Sequence, residues 1–205
     1  MHLLVGVGAF AAICQAQVAV VVPGTAQISL AAQPAGAQNI NGDSIPLNAP
    51  VELTLPIVAG QAFQIVATGA VGTVSSNYEP RISPDGAAEE FTDEPYGVAR
   101  INGPGGALIG VFIGSSVDTA GRPPSVDFTG ASASHELLYP MLQQPFLVGT
   151  GKTPAGRPRT IVAPAGARRL FLGVLSLSTR RNTGSFNAAV SITAVPALPG
   201  NPLRV

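Results

Sequence analysis

The chain has 205 residues, 46% of them hydrophobic and only 11% charged, and its formal net charge is zero. That balance excludes a disordered chain, which combines low hydrophobicity with high charge, and leaves no global basic footprint for nucleic acid. Gly and Pro, 24 and 19 in number, make up about a fifth of the residues, the composition of one domain built from many short strands and turns.

The opening "MHLLVGVGAFAAICQAQ" holds an apolar run from Leu3 to Ile13, followed by the small-residue ending Cys14-Gln15-Ala16. This pattern predicts a secretory signal over 1–16 with cleavage after Ala16. The run is too short to span a bilayer, and no second apolar segment approaches the required length of about twenty residues. The expected product is secreted, extracellular or periplasmic, with no membrane span. Cys14 is the only cysteine, so the exported part has no disulfide, thiolate nucleophile or cysteine metal site. His135 is the only histidine after the leader, which excludes most histidine-based zinc sites.

From Val18 the pattern is strand, turn, strand. "VAVVVPGTAQISLAAQ" predicts a β-branched strand, a Pro23-Gly24 turn and a second strand with Ala26, Ile28 and Leu30 on one face. "PAGAQNINGDSIP" is a loop rich in turn formers. "VELTLPIV" and "QAFQIVATG" alternate as strands, the latter with Phe63, Ile65 and Ala67 facing one way. Residues 72–106 read as mostly loop. They contain the acids Glu79, Asp85, Glu89, Glu90, Asp93 and Glu94, whereas no acid follows Glu136 and eight basic residues do. "GALIGVFIG", 106–114, is a strand buried on both faces. "SASHELLYPML" suggests a helical turn starting near Ser134 and stopped by Pro140. "PFLVGT", "RTIVAPAGA" and "RRLFLGVLS" are further strands. "SFNAAVSIT" sets Phe186, Ala188, Val190 and Ile192 against a polar face, as in a half-buried antiparallel strand. Eight to ten such strands predict an all-β fold, an antiparallel β-sandwich or jelly roll. The domain is expected to occupy 50–194, with 17–49 as its N-terminal strand and loop and 195–205 as a Pro-rich tail.

Most catalytic patterns are absent. "GTGKT", 149–153, lacks the glycine a phosphate loop needs, because Phe146 stands there, and Pro154 and Gly156 follow where a helix should begin. It reads as a turn. No G-x-S-x-G occurs, and His135 is the only candidate base for a serine hydrolase. A carboxylate pair for glycoside hydrolysis would have to come from the 79–94 acids, which share one loop. The same acids lack the residue order of a calcium loop. Trp is absent and Tyr numbers three, which disfavours a flat aromatic platform for polysaccharide.

Five segments occur in order: "SPDG" (83–86), "GALIGVFIG" (106–114), "FLVG" (146–149), "PAGARRLFLGV" (164–174) and "NTGSF" (182–186). Together they resemble the galactose-binding-like β-sandwich of the calcium-dependent galactophilic bacterial lectins. They are more similar still to exported bacterial proteins that carry this domain and often end in a PEP-CTERM sorting tail. The resemblance implies a jelly-roll sandwich in which calcium bridges protein and sugar. Carried over, the family's ligand positions fall near Thr73, near Leu175 and Ser176, and at Arg181 and Asn182. Only Asn182 keeps a ligating side chain, since the Arg181 guanidinium has no lone pair to donate and repels a cation. The resemblance therefore implies a calcium loop with most of its ligands replaced, leaving Asn182 and Asp85 as weak metal candidates. The tail motif is missing from "VPALPGNPLRV".

The expected function is an exported, non-enzymatic, lectin-like or surface-associated module. Ser176, Arg180, Arg181 and Asn182 are its candidate ligand-binding residues, and an acidic saccharide is the partner that arginine suits best. The alternative is a matrix protein that self-associates into homo-oligomers through its strands and its charge asymmetry; a glycoside hydrolase ranks third.

Overall fold

The computed structural model describes residues 17–92, 95–196 and 203–204. The leader predicted over 1–16, with Cys14, lies outside the described residues, as do Asp93, Glu94 and most of the tail. Among the described residues thirteen strands follow in chain order: β1 (Gln17–Pro23), β2 (Val51–Glu52), β3 (Ala62–Gly72), β4 (Glu89–Phe91), β5 (Ile101–Pro104), β6 (Leu108–Ile113), β7 (Val126–Asp127), β8 (Leu137–Tyr139), β9 (Pro145–Leu147), β10 (Thr160–Val162), β11 (Arg169–Val174), β12 (Thr183–Thr193) and β13 (Leu203–Arg204). The helical elements among the described residues are short 3-10 turns, and none is long and apolar enough to cross a membrane.

The strands form an all-β sandwich. One sheet runs β1-β12-β3-β10-β8-β13, the facing sheet β2-β11-β6-β9, and a small third sheet β4-β5-β7. Long pairings are antiparallel: β12 lies between β1 and β3, with Phe186 opposite Val22 on one side and Gly69 on the other. Three short pairings are parallel, β10 with β8, β8 with β13, and β5 with β7.

The period-two pattern explains the layers. Phe63, Ile65 and Ala67 of β3 and Phe186, Ala188 and Val190 of β12 are buried on the inner face. All six residues of β6 are buried, as its unbroken apolar run requires. Phe63 meets Phe112 across the two sheets at 5.9 Å between ring centroids, and Phe112 meets Phe146 at 5.3 Å, within the range of favourable aromatic pairs. Gly110 makes room for that stack, because a Cβ there would sit 2.6 Å from the Phe146 ring.

Three segments differ from expectation. Residues 26–31 are not a second strand: Ile28–Leu30 is a 3-10 turn with all three residues buried, joined to β11 by a single bridge from Gln27 to Val174. An alternation cannot reveal a segment buried on every side. Residues 72–106 are less irregular than expected, since β4 and β5 pair there. The helical turn near Ser134 lies earlier, at Gly130–Ser134, and Leu137–Tyr139 is a strand. The "GTGKT" segment is a turn, with Gly149 and Gly151 at positive φ.

Candidate functional site

The connection from β11 to β12, residues 175–182, is held from below by one buried carboxylate. Asp43 has no exposed surface. Its Oδ1 accepts from the Thr179 amide at 2.8 Å and the Ser178 hydroxyl at 3.4 Å. Its Oδ2 accepts from the side-chain amides of Asn39 at 3.0 Å and Gln27 at 3.3 Å. A carboxylate offers about four lone-pair sites, so these donors use its capacity. Asp43 is presented by an Asx turn: Asn39 Oδ1 accepts from the amides of Asn41 and Asp43, at 3.1 and 2.9 Å. The Gln27 and Asn41 side chains then tie the connection down through the carbonyls of Ser176 and Leu177, at 3.1 and 2.9 Å.

Ser176, Arg180, Arg181 and Asn182 all line one groove of about 260 Å³, together with Val74 and Tyr78. Two of the four are structurally committed. Ser176 is buried and its hydroxyl donates to the Ser178 carbonyl at 2.9 Å. Asn182 is buried; its amide closes a turn onto Thr179 O, and its Nδ2 donates to Gly24 O at 3.1 Å. The arginines are exposed at the rim. The Arg181 guanidinium stands 5.7 Å from the Tyr78 ring centroid, a cation–π contact worth about 0.5–1 kcal/mol at an exposed site. Arg180 lies over Gly42, where an added Cβ would come within 2.8 Å of its Nη1. Neither guanidinium pairs with a carboxylate among the described residues. Both also line an adjoining groove of about 730 Å³ with Leu47 and Asn48. The pair forms a cationic ridge between two depressions.

Tyr78 was not among the predicted site residues. It sits at positive φ after Asn77, and the Thr183 hydroxyl bonds its carbonyl. Thr73, where the resemblance puts a calcium-ligating tyrosine, is buried and caps the 74–76 turn, its amide donating to Ser76 Oγ at 3.1 Å.

Calcium does not fit these residues. The Asp43 carboxylate is filled by donors, Arg181 places a positive charge in the groove, and Asp85 lines another cavity. Asp85 and Asn182, the two weak metal candidates, are therefore not brought together. Asp85 Oδ1 accepts from the Thr150 amide at 2.7 Å. Among the described residues, no three His, Cys, Asp or Glu side chains gather as metal ligands.

Beside Asp85 lies Arg159, only 2% exposed. Its guanidinium donates to the carbonyls of Ala133 at 2.6 Å, Val148 at 3.0 Å, His135 at 3.3 Å and Leu147 at 3.5 Å. Burial pulls its pKa down to about 10, opposed by the nearby Asp85 charge, so it is charged at neutral pH. His135 contributes its carbonyl to this clamp and its amide to the end of the 130–134 turn. Elsewhere, Glu79 pairs with Arg81 and Arg157 with Glu136.

Sequence reasoning missed Asp43 and Arg159. Asp43 left a faint signal in "NINGDS", where an Asx turn precedes the acid; Arg159 left none. No family model matches the chain. No curated protein matches it either.

Proposed function

We propose that this chain is an exported, non-enzymatic, lectin-like module that binds an acidic saccharide across the Arg180–Arg181 ridge. The observation that carries the reading is the ridge itself. Two adjacent guanidinia lack carboxylate partners among the described residues and stand between adjoining grooves, with the Tyr78 ring below one of them. A guanidinium fork pairs a carboxylate or sulfate bidentately, and an aromatic face suits the apolar side of a sugar ring. The groove floor is rigid, because Ser176 and Asn182 are locked by backbone bonds. Calcium plays no part in this scheme, in contrast to the lectins the sequence resembles.

A glycan array of neutral, uronate-bearing and sulfated oligosaccharides, read with calcium and with chelator, tests the reading. The expected result is retention of acidic glycans in both conditions, weakened by salt and reduced at least tenfold in Arg181→Ala, about one charge-assisted contact. Binding only to neutral glycans, binding that needs calcium, or no binding at all refutes it.

A second observation favours self-association. Strands β1, β3 and β12 carry no charged residue, and their outer face exposes Val21 and Val66 at 57% and 51%. Strand β1 is also the edge of its sheet among the described residues; it carries no charge to blunt that edge, and its one proline, Pro23, stands at the strand's end. In this reading a second copy covers the face. Light scattering across a concentration series decides it: growth that Val66→Lys abolishes supports the reading, and a monomer throughout rejects it.

A further inference from the structure

The cavity beside Arg159 has a volume of about 200 Å³ and shares no lining residue with the grooves at the ridge. Its polar wall comes from Asp85, Lys152, Thr153 and Arg159, so the "GTGKT" turn supplies two of the four. Arg159 is buried, yet its bonds are incomplete: Nη2 carries two hydrogens and has one acceptor, the Ala133 carbonyl. Asp85 is close enough to act on the guanidinium through its charge, but the two make no ion pair, and Asp85 is engaged by Thr150. Lys152 is exposed and free of any ion pair among the described residues. Two positive groups against one negative leave one positive charge uncompensated around a space with apolar walls at Pro104, Leu147 and Pro154.

We infer that this cavity binds a small monocarboxylate, its carboxylate meeting Arg159 Nη2 and Lys152 and its short apolar tail resting against Pro104, Leu147 and Pro154. A single negative charge balances the site. A dianion adds repulsion with Asp85. At roughly 30 Å³ per water-sized group, the volume holds about half a dozen heavy atoms, the size of butyrate. A guanidinium held by four carbonyls is also preorganised, so ordering it costs the ligand little.

Titration of butyrate into the isotope-labelled full chain, followed by amide chemical shifts, tests the assignment. Saturable shifts are expected at the amides of Ala133, Lys152 and Thr153. Lys152→Gln should weaken binding about fivefold, the upper end for one exposed charge contact, and Ala133→Leu, which fills the cavity and leaves every charge in place, should abolish it. Sulfate should bind at least tenfold more weakly than butyrate. Arg181→Ala should leave butyrate binding unchanged, which separates this cavity from the ridge. Shifts that do not saturate, equal binding of butan-1-ol, or unaltered affinity in either cavity variant overturns the proposal.

Discussion

Asp43 and Arg159 are both buried charges, and neither is neutralised by an ion pair among the described residues. Each is instead held by neutral polar groups of other segments. Asp43 takes donors from residues 27, 39, 178 and 179; Arg159 gives to carbonyls of residues 133, 135, 147 and 148. The difference is closure. The carboxylate has spent its lone pairs and is sealed under the β11–β12 connection, whereas the guanidinium keeps one N–H for a cavity. A sealed charge organises a loop; a charge with a spare bond and adjacent space can hold a ligand. The two regions also explain why the exposed arginines at the ridge are reliably presented: their loop is anchored from beneath by Asp43.

Breaking the sealed region is expected to have the largest effect. Asp43→Ala strands several buried donors and should cost about 3 kcal/mol, measured as a lowered urea midpoint, with loss of glycan retention at the ridge. Asp43→Asn should also destabilise, because its NH2 faces donors; wild-type stability in both variants would remove Asp43 from its organising role. Arg159→Met should cost about 2 kcal/mol through carbonyls left without a partner and leave the ridge unaffected, so parallel loss of both sites would show the regions to be coupled. Gly42→Ala sharpens the contrast. Gly42 has φ +80 and its added methyl meets only the flexible end of Arg180, so the expected cost is about 1 kcal/mol from the backbone, together with a displaced guanidinium that weakens glycan retention.

The smallest expected effect is a control at the surface. Arg169 grips Glu52 through two bonds of 2.7 Å, and that hydrogen bonding holds the Glu52 carboxyl below its ordinary value. A lowered folded-state pKa gives stability that is complete above the unfolded value and is lost as pH falls through the folded one. The pair is partly exposed, so its contribution is below about 1 kcal/mol. Glu52→Gln should lower stability by less than about 1 kcal/mol at neutral pH, where the contribution is complete, and change nothing at a pH below the folded-state value, so the acid limb flattens slightly; a much larger loss at neutral pH would show a role beyond the pair.

The layers of the sandwich were legible because burial writes itself into alternation. Phe63, Ile65 and Ala67, and Phe186, Ala188 and Val190, show the period-two signature and are buried together. The 26–31 segment was misread because its residues are buried without alternation. At the site, the loop residues 176 and 180–182 were singled out through the resemblance and their place between two strands, and they share a groove. What could not be read was which of them are spent. Asn182 looks like a ligand in the sequence, but its amide is taken by Gly24, 158 residues away. Arg159 looks like one more surface base, because the backbone carbonyls that bury it carry no mark in a sequence. Asp43 depends on Ser178 and Thr179, some 135 residues later, a separation that no local pattern spans.

The pairing of β12 between β1 and β3 also has a kinetic consequence. Residues 17–23 and 62–72 find their shared neighbour only at 183–193, so a chain stopped before Thr183 leaves both early strands without the strand that joins them. Ordering therefore waits for closure of loops well over a hundred residues long, a search that makes folding slow compared with proteins of local contacts. The domain should assemble as one late step rather than strand by strand as the chain emerges.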